Sequence, residues 1–441
     1  MSSVTTEQET GPAPRRSLWR NTDFTKLWIG QTASLFAAQI STLAIPLTAV
    51  LALSATSQQV GLLTSVINLP YLLVSLFAGV LVDRIRRRSL MISADLGRAV
   101  VLAVVPILFW LHWLGIGWLY VLGFLAGCCT VLFDVAGQAY LPRLVDREDL
   151  SAGNSLLGSS QSAATIGGPA LGGVLIQWLS APVAVCAASV SYLVSALNIW
   201  LIRHRETTTE ASGATGAGGT LRQVKDGLRV VFGNEQLRAM SLMACVFNLS
   251  FTAFEVAYLQ YMPRTLGLSA SSIGFVLAGL GPGFLVGALF AGKLPKRLGY
   301  GRALLLTGAV ANLVMPVIAV VQGNGVVTVG ILVLVNFLFA SFGTANNITM
   351  LTIRQVITPD NLQGRVAATN RFVAMGVAPI GALIGGALGA ALGLRSTVLV
   401  TTIGLCLALV PLALSSLARI KYELPAPITV EPADKPDPAA S

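Results

Sequence analysis

The sequence predicts an all-α integral membrane protein, with twelve transmembrane helices arranged as two pseudo-symmetric six-helix bundles. Three observations carry that expectation. Of 441 residues, 54% are hydrophobic and only 11% charged, against roughly 25% charged in ordinary soluble domains. A water-soluble chain has no way to hide so much apolar surface, so the bilayer is the solvent. Apolar runs near the ~20 residues needed to cross a membrane recur along the whole chain. Finally, a charged turn at 79–90, GVLVDRIRRRSL, returns in altered form at 292–302 as GKLPKRLGYGR. The copies lie about 213 positions apart, the mark of a chain built twice over.

Taken in order, residues 1–26 form an N-terminal tail whose first part is rich in Ser, Thr, Glu, Gly and Pro, a composition that stays disordered. The candidate spans then fall at 27–53, 60–82, 91–111, 118–141, 154–179, 182–202, 239–262, 271–294, 303–321, 326–350, 367–392 and 396–418. An even number of spans puts both termini on one side. All but Arg264 and Arg395 of the 29 Lys and Arg fall on that same side, which the positive-inside rule makes cytoplasmic. The formal charge of +10 is therefore topology and implies no nucleic-acid partner. The expected location is therefore a cell membrane, with both termini in the cytoplasm.

The connection 203–238 divides the bundles 27–202 and 239–418. Within it Leu221, Val224, Leu228 and Val231 share one helical face and Arg222, Lys225 and Arg229 another, the pattern of a short helix lying on a membrane surface. Residues 419–441 form a Pro-rich tail. The five cysteines all lie in apolar runs and have neither disulfide nor zinc-ligand spacing. His112 and His204 stand alone, so no metal or other cofactor is expected. Gly287–Leu294 fits a phosphate-binding loop except for the missing Ser or Thr. It also ends an apolar run rather than joining a strand to a helix. Neither clustered acids nor a Ser/His pair is present, so the chain does not read as an enzyme.

The two halves share a helix-bending motif. In the first, Gly168, Pro169, Gly172 and Gly173 follow a charged turn; in the second, Pro379, Gly381 and Gly385 do. Glycines at four-residue spacing let helix backbones approach closely, and Pro removes a backbone donor and permits a bend. Packing alone accounts for any single one of these glycines equally well.

Together these features resemble the major facilitator superfamily from about residue 20 to 420. Its loop between helices two and three reads roughly G-x-L-x-D-R-x-G-R-R. This chain supplies Gly79, Leu81, Asp83, Arg84, Arg87 and Arg88, with Arg86 where a second Gly is usual. The weaker copy keeps Gly292 and Arg297 and places Lys296 where the Asp stands. The resemblance implies that this loop is a charge latch stabilising one of two alternating-access states. The pattern G-P-x-x-G-G, met by Gly168, Pro169, Gly172 and Gly173, is associated within the superfamily with proton-driven exporters. The runs at 133–156 and 95–99 look like the branch containing macrolide efflux and enterobactin export proteins. Many relatives carry an acid midway along helix one; Phe36–Gln39 here has none. What the resemblance implies is a secondary active transporter, most readily a proton-driven exporter of an amphipathic small molecule, working as a monomer. An importer of a small organic metabolite is the alternative, and a non-transporting sensor a remote one.

Three acids lie within spans, where each is costly. Asp95, with Arg98 one turn on, reads as a local ion pair. Asp134 stands eight residues before Pro142, about 12 Å along the helix, and either pairs with the latch arginines or carries a proton. Glu255 sits deep in span seven beside Phe251, Phe254 and Tyr258. It is a candidate proton carrier, a candidate partner for a cationic substrate, or a side chain reaching the external surface. Polar residues otherwise scattered through apolar spans, Gln39, Asn68, Gln161, Asn248, Gln260, Asn336, Asn346 and Asn347, are expected to spot a mainly apolar cavity.

Overall fold

The computed structural model describes Leu18 and residues 21–74, 85–145, 149–203, 228–359 and 363–422. Gly79, Asp83 and Arg84 of the latch loop, most of the 203–238 connection and most of both tails lie outside the described residues.

In the first half, α1 is Thr22–Leu47, α2 Ser57–Leu73, α3 Arg87–Trp110, α4 Ile116–Leu144, α5 Leu150–Leu179 and α6 Ala181–Trp200. In the second, α7 is Glu235–Arg264, α8 Ala270–Ala278 continued by Leu280–Ala291, and α9 Tyr300–Leu313 continued by Val317–Val320. Then come α10 Val326–Ile357, α11 Gln363–Gly376 continued by Ala378–Leu392, and α12 Leu394–Leu407 continued by Val410–Leu414. Among the described residues there is no strand, and 10 helical segments are long and apolar enough to cross a membrane. With α2, described as far as Leu73, and the more polar α5, the chain is consistent with twelve spans.

Local chemistry starts and stops these helices. The Asn21 side chain accepts from the backbone of Asp23 and Phe24, each at 3.1 Å, and opens α1. Thr56 and Gln59 form a reciprocal capping box at α2. At the far end of α6, Arg88 donates to the carbonyls of Ile199 and Trp200, and Lys26 to that of Leu201 at 2.8 Å. Carbonyls at a helix C-terminus lack the partners of the helix interior, and cations suit that terminus.

The halves repeat one packing scheme. Helix α1 packs on α5 and α6, α3 on α4 and α6, and α2 on α4; correspondingly α7 packs on α11 and α12, α9 on α10 and α12, and α8 on α10. Two symmetry-related contacts join the halves, α2 with α11 and α5 with α8. Both joints are glycine crossings. A Cβ on Gly173 would lie 2.7 Å from the Ala270 carbonyl oxygen and 2.8 Å from the Gly274 Cα; one on Gly61 would lie 2.6 Å from the Ala382 oxygen and 2.7 Å from the Gly386 Cα. No side chain larger than hydrogen fits there without displacing backbone.

The core shows how these joints divide the molecule. The start of α1 and the end of α12, with Arg88, Lys296, Arg297 and Arg419, define a basic face. Toward the opposite, far face a single cluster of buried apolar residues runs through both halves, from Ile40, Leu63 and Val185 to Tyr261, Val276 and Leu405. At the basic face there are two separate clusters, one around Phe24, Met91 and Tyr140, the other around Leu237, Ile353 and Leu412. Among the described residues the buried core is thus continuous at one end and split at the other. Large apolar side chains such as Trp178, Leu289 and Val326 stand exposed, as lipid-facing surfaces require.

Candidate transport cavity

Between the halves, under the far-face joints, lies a cavity of about 420 Å³. Its polar lining comes mostly from the first half: Ser34, Gln39 and Thr42 of α1, Thr64, Asn68 and Tyr71 of α2, Arg98 of α3, Thr130 and Asp134 of α4, and Gln161 of α5. Among the described residues, Glu255, Val256 and Leu259 of α7 line it from the second half. A second cavity of about 440 Å³ runs toward the basic ends of α4 and α5, past Gln31, Gln138 and Asn154. It shares Leu35, Phe133, Asp134 and Gln161 with the first. Asp134 therefore sits where the two spaces meet.

The charges are arranged unequally. Asp95 and Arg98 form an ion pair one turn apart on α3, 0% and 2% exposed. The Ser34 hydroxyl accepts from Arg98 Nη2 at 3.1 Å and reaches Asp95 Oδ1 at 3.5 Å. The guanidinium carbon lies 4.3 Å from the ring centres of both Phe133 and Tyr192, so two aromatic faces sandwich the cation. This is the local pair read from the sequence, but α1, α4 and α6 all converge on it and its arginine reaches the cavity wall. Asp134 accepts from the Tyr71 hydroxyl at 3.1 Å. Glu255 is exposed to the cavity, and no hydrogen bond or ion pair to it is formed among the described residues.

Several candidates stand elsewhere. Gln39, Asn68 and Gln161 line the cavity, whereas Gln260, Asn336 and Asn346 do not: all are buried. Asn336 donates to the Tyr258 hydroxyl and the Val276 carbonyl, both at 3.2 Å; Asn346 donates to the Leu304 carbonyl at 2.8 Å and Thr307 Oγ1 at 3.1 Å. These amides tie helices together, a use of polar groups that apolar surroundings favour. Asn248 spends its amide on the Ala244 carbonyl of its own helix.

The glycine motif likewise acts by contact. Helix α5 runs unbroken through Pro169. Gly168 and Gly172 face Gln39 and Leu43 of α1, and Gly173 faces α8. In the second half Gly381 and Gly385 face Leu249 and Ala253 of α7, while the chain interrupts α11 at Val377, just ahead of Pro379. The motif's glycines seat neighbouring helices in both halves. Lys296 and Arg297 are exposed at the basic face in the short helix Leu294–Leu298, with no ion pair among the described residues.

One residue with no role assigned from the sequence stands out. Arg264, at the far end of α7, donates from Nη1 to the Gln260 side chain at 3.0 Å. Its Nη2 reaches across the halves to the Ala55 carbonyl and lies 3.5 Å from that of Val50. The carbonyl acceptors lie around the π-helical turn Thr48–Ala52 that ends the first span. Its rarity as a basic residue on the far side was the available signal.

Two half-bundles fused at one end around a polar cavity define a membrane transporter rather than an enzyme. The family model for the Major Facilitator Superfamily matches residues 27–378 and 240–439, and the chain belongs to that superfamily. The multidrug efflux pump Tap of Mycolicibacterium fortuitum is 28% identical over 355 residues, covering 77% of this chain and 83% of the pump. Among solved structures, a bacterial homologue of the iron transporter ferroportin in an inward-facing state superposes with a TM-score of 0.74 at 16% identity, covering 90% of this chain and 98% of the other. The nucleoside transporter NupG gives 0.71 at 10% identity, covering 89% and 99%. The structural likenesses speak to the fold alone.

Proposed function

We propose that this chain is a proton-driven exporter of an amphipathic small molecule across the bacterial inner membrane, with both termini and the basic face in the cytoplasm. The observation that supports it best is the split core: one cluster at the far face, two at the basic face, and a polar-walled cavity between. Such a shape loads from the basic side. The similarity to a multidrug efflux pump favours export. In the cycle, substrate enters from the cytoplasm and the halves rock about the cavity. The glycine joints part at the far face, and the latch around Gly79, Asp83, Arg84, Arg87 and Arg88, with its weaker copy at Lys296 and Arg297, holds the basic face shut. Glu255 and Asp134 are the cavity carboxylates that meet either the proton or a cationic group of the substrate. The protein works as a monomer, and the 203–238 connection lies along the inner leaflet.

The test is retention of a panel of dyes and antibiotics in efflux-deficient bacteria expressing the protein, with and without a protonophore. Lowered retention that the protonophore restores is the expected result. Raised retention reverses the direction and makes the protein an importer.

A further inference from the structure

The ion pair Asp95–Arg98 at the cavity wall remains without a task in that cycle. The pair Asp95–Arg98 is fully buried, yet incompletely satisfied: Asp95 Oδ2 and Arg98 Nε have no hydrogen-bond partner. Removing two charges from water costs several kcal/mol per ion, and a buried pair of this kind is often no more stable than an apolar replacement. Inside a membrane bundle, ionisable groups mark ion pathways by default. Among the described residues, α1 brings the uncharged Ser34 to the pair, α4 brings Phe133, Cys129 and Asp134, and α6 brings Tyr192 and the uncharged Ser195. Among the described residues the second carboxylate acting on Arg98 is Asp134, which lines the same cavity and is next in the chain to the Phe133 ring that covers the guanidinium. Asp134 is also the acid that meets the cavity leading to the basic face, along Gln31, Gln138, Asn154 and Gln161.

Building on the proton-driven reading, we propose that Asp95 and Asp134 share the Arg98 guanidinium and one exchangeable proton, making this first-half cluster the coupling site and leaving Glu255 to the substrate. A proton taken from water in the crevice converts one carboxylate into a carboxylic acid. Arg98 keeps its charge throughout and turns to whichever carboxylate remains ionised. Because Ser34, Asp134 and Tyr192 belong to three different helices, the turn changes how α1, α4 and α6 pack on α3. Proton and substrate then use different doors. The proton comes and goes through the α4–α5 crevice, while the substrate occupies the central cavity beside Glu255.

The test needs no substrate. Spin labels introduced as unnatural amino acids at the exposed Ser89 and Arg302, on the basic ends of α3 and α9, report the opening of the basic face from pH 5 to pH 8. The wild type is expected to shift its open-to-closed ratio with pH, and Glu255→Gln to shift it equally. The charge-neutral double variant Asp95→Asn with Arg98→Gln is expected to lose at least about tenfold of that shift, and Asp134→Asn to move its midpoint. A pH response unchanged in both the double variant and Asp134→Asn overturns the proposal, as does a response abolished by Glu255→Gln. If the double variant fails to fold, Asp134→Asn decides alone. A wild type without any pH response strikes the proton-driven reading itself.

Discussion

The two halves share one packing scheme but spend their polar residues differently. In the first half the interior holds charge: Asp95, Arg98 and Asp134 gather around two aromatic rings at the cavity wall. In the second half the interior holds amides: Asn336 and Asn346 join neighbouring helices and never reach the cavity. Backbones differ in the same sense. First-half prolines such as Pro106 and Pro169 lie inside continuous helices, whereas α8, α9, α11 and α12 are each interrupted. A duplicated scaffold can thus give one copy the ionic chemistry and the other the amide ties, with Glu255 as the one acid among the described residues that the second half lends to the cavity.

Breaking the shared joints should have the largest effect. Gly173→Leu drives a side chain into the α8 backbone at a crossing on which both halves depend. Transport in the retention assay is expected to disappear, with Gly330→Leu, whose Cβ would meet open space on the exposed side of α10, as the control that keeps it. Next comes the charge asymmetry. Arg98→Leu strands Asp95 in the interior and should cost about 3–5 kcal/mol, read as a lowered melting temperature in detergent. The corresponding loss in the second half is far smaller. Asn336→Leu removes interhelical hydrogen bonds worth roughly 0.6 kcal/mol each in membranes, so its melting temperature should stay close to that of the wild type. A stability loss for Asn336→Leu as large as that for Arg98→Leu would erase the contrast between the halves.

Between these sits the bridge across the far face. Arg264→Ala removes charge-assisted hydrogen bonds, worth about 1.5–3 kcal/mol when their acceptors are left buried. It should raise labelling of a cysteine placed at Val256 by a membrane-impermeant reagent added from the far side. Unchanged labelling would mean that the glycine joints hold that face closed unaided. The smallest effect concerns the turn between the last two helices of each half. Gly393 takes φ 79° and ψ 160° between α11 and α12; Ser180 takes φ 85° and ψ 158° between α5 and α6. That region is almost reserved for glycine, and a side chain there costs of order 1–3 kcal/mol. Ser180→Gly should therefore stabilise the protein by about 1 kcal/mol, measured by thermal unfolding.

Most of the architecture was legible because length and apolarity fix spans almost independently of context, and because the copied turn and glycine motif exposed the duplication. The cavity was legible by halves. Gln39, Asn68 and Gln161 point into it, but Asn336 and Asn346 read the same in sequence and turn instead toward neighbouring helices. A span that is apolar all round offers no polar stripe from which to tell cavity from helix contact. The Asp95–Arg98 spacing announced a pair; its aromatic enclosure by Phe133 and Tyr192 depends on helices distant in sequence. Pro169 illustrates the opposite failure. A proline predicts a lost backbone bond, not whether the surrounding bundle keeps the helix whole.

The split core carries a consequence for hydrogen exchange. Amides near the far face belong to one cooperative unit, so their slowest exchange reports opening of the entire molecule. Those at the basic ends of α1 and α7 belong to separate units and can exchange by local opening of one arm while the other stays protected. Exchange profiles should therefore show one deep plateau and two shallower, independent ones. A compound bound in the cavity touches helices from both arms and would draw the two shallow levels together, giving a readout of occupancy that needs neither a gradient nor a second compartment.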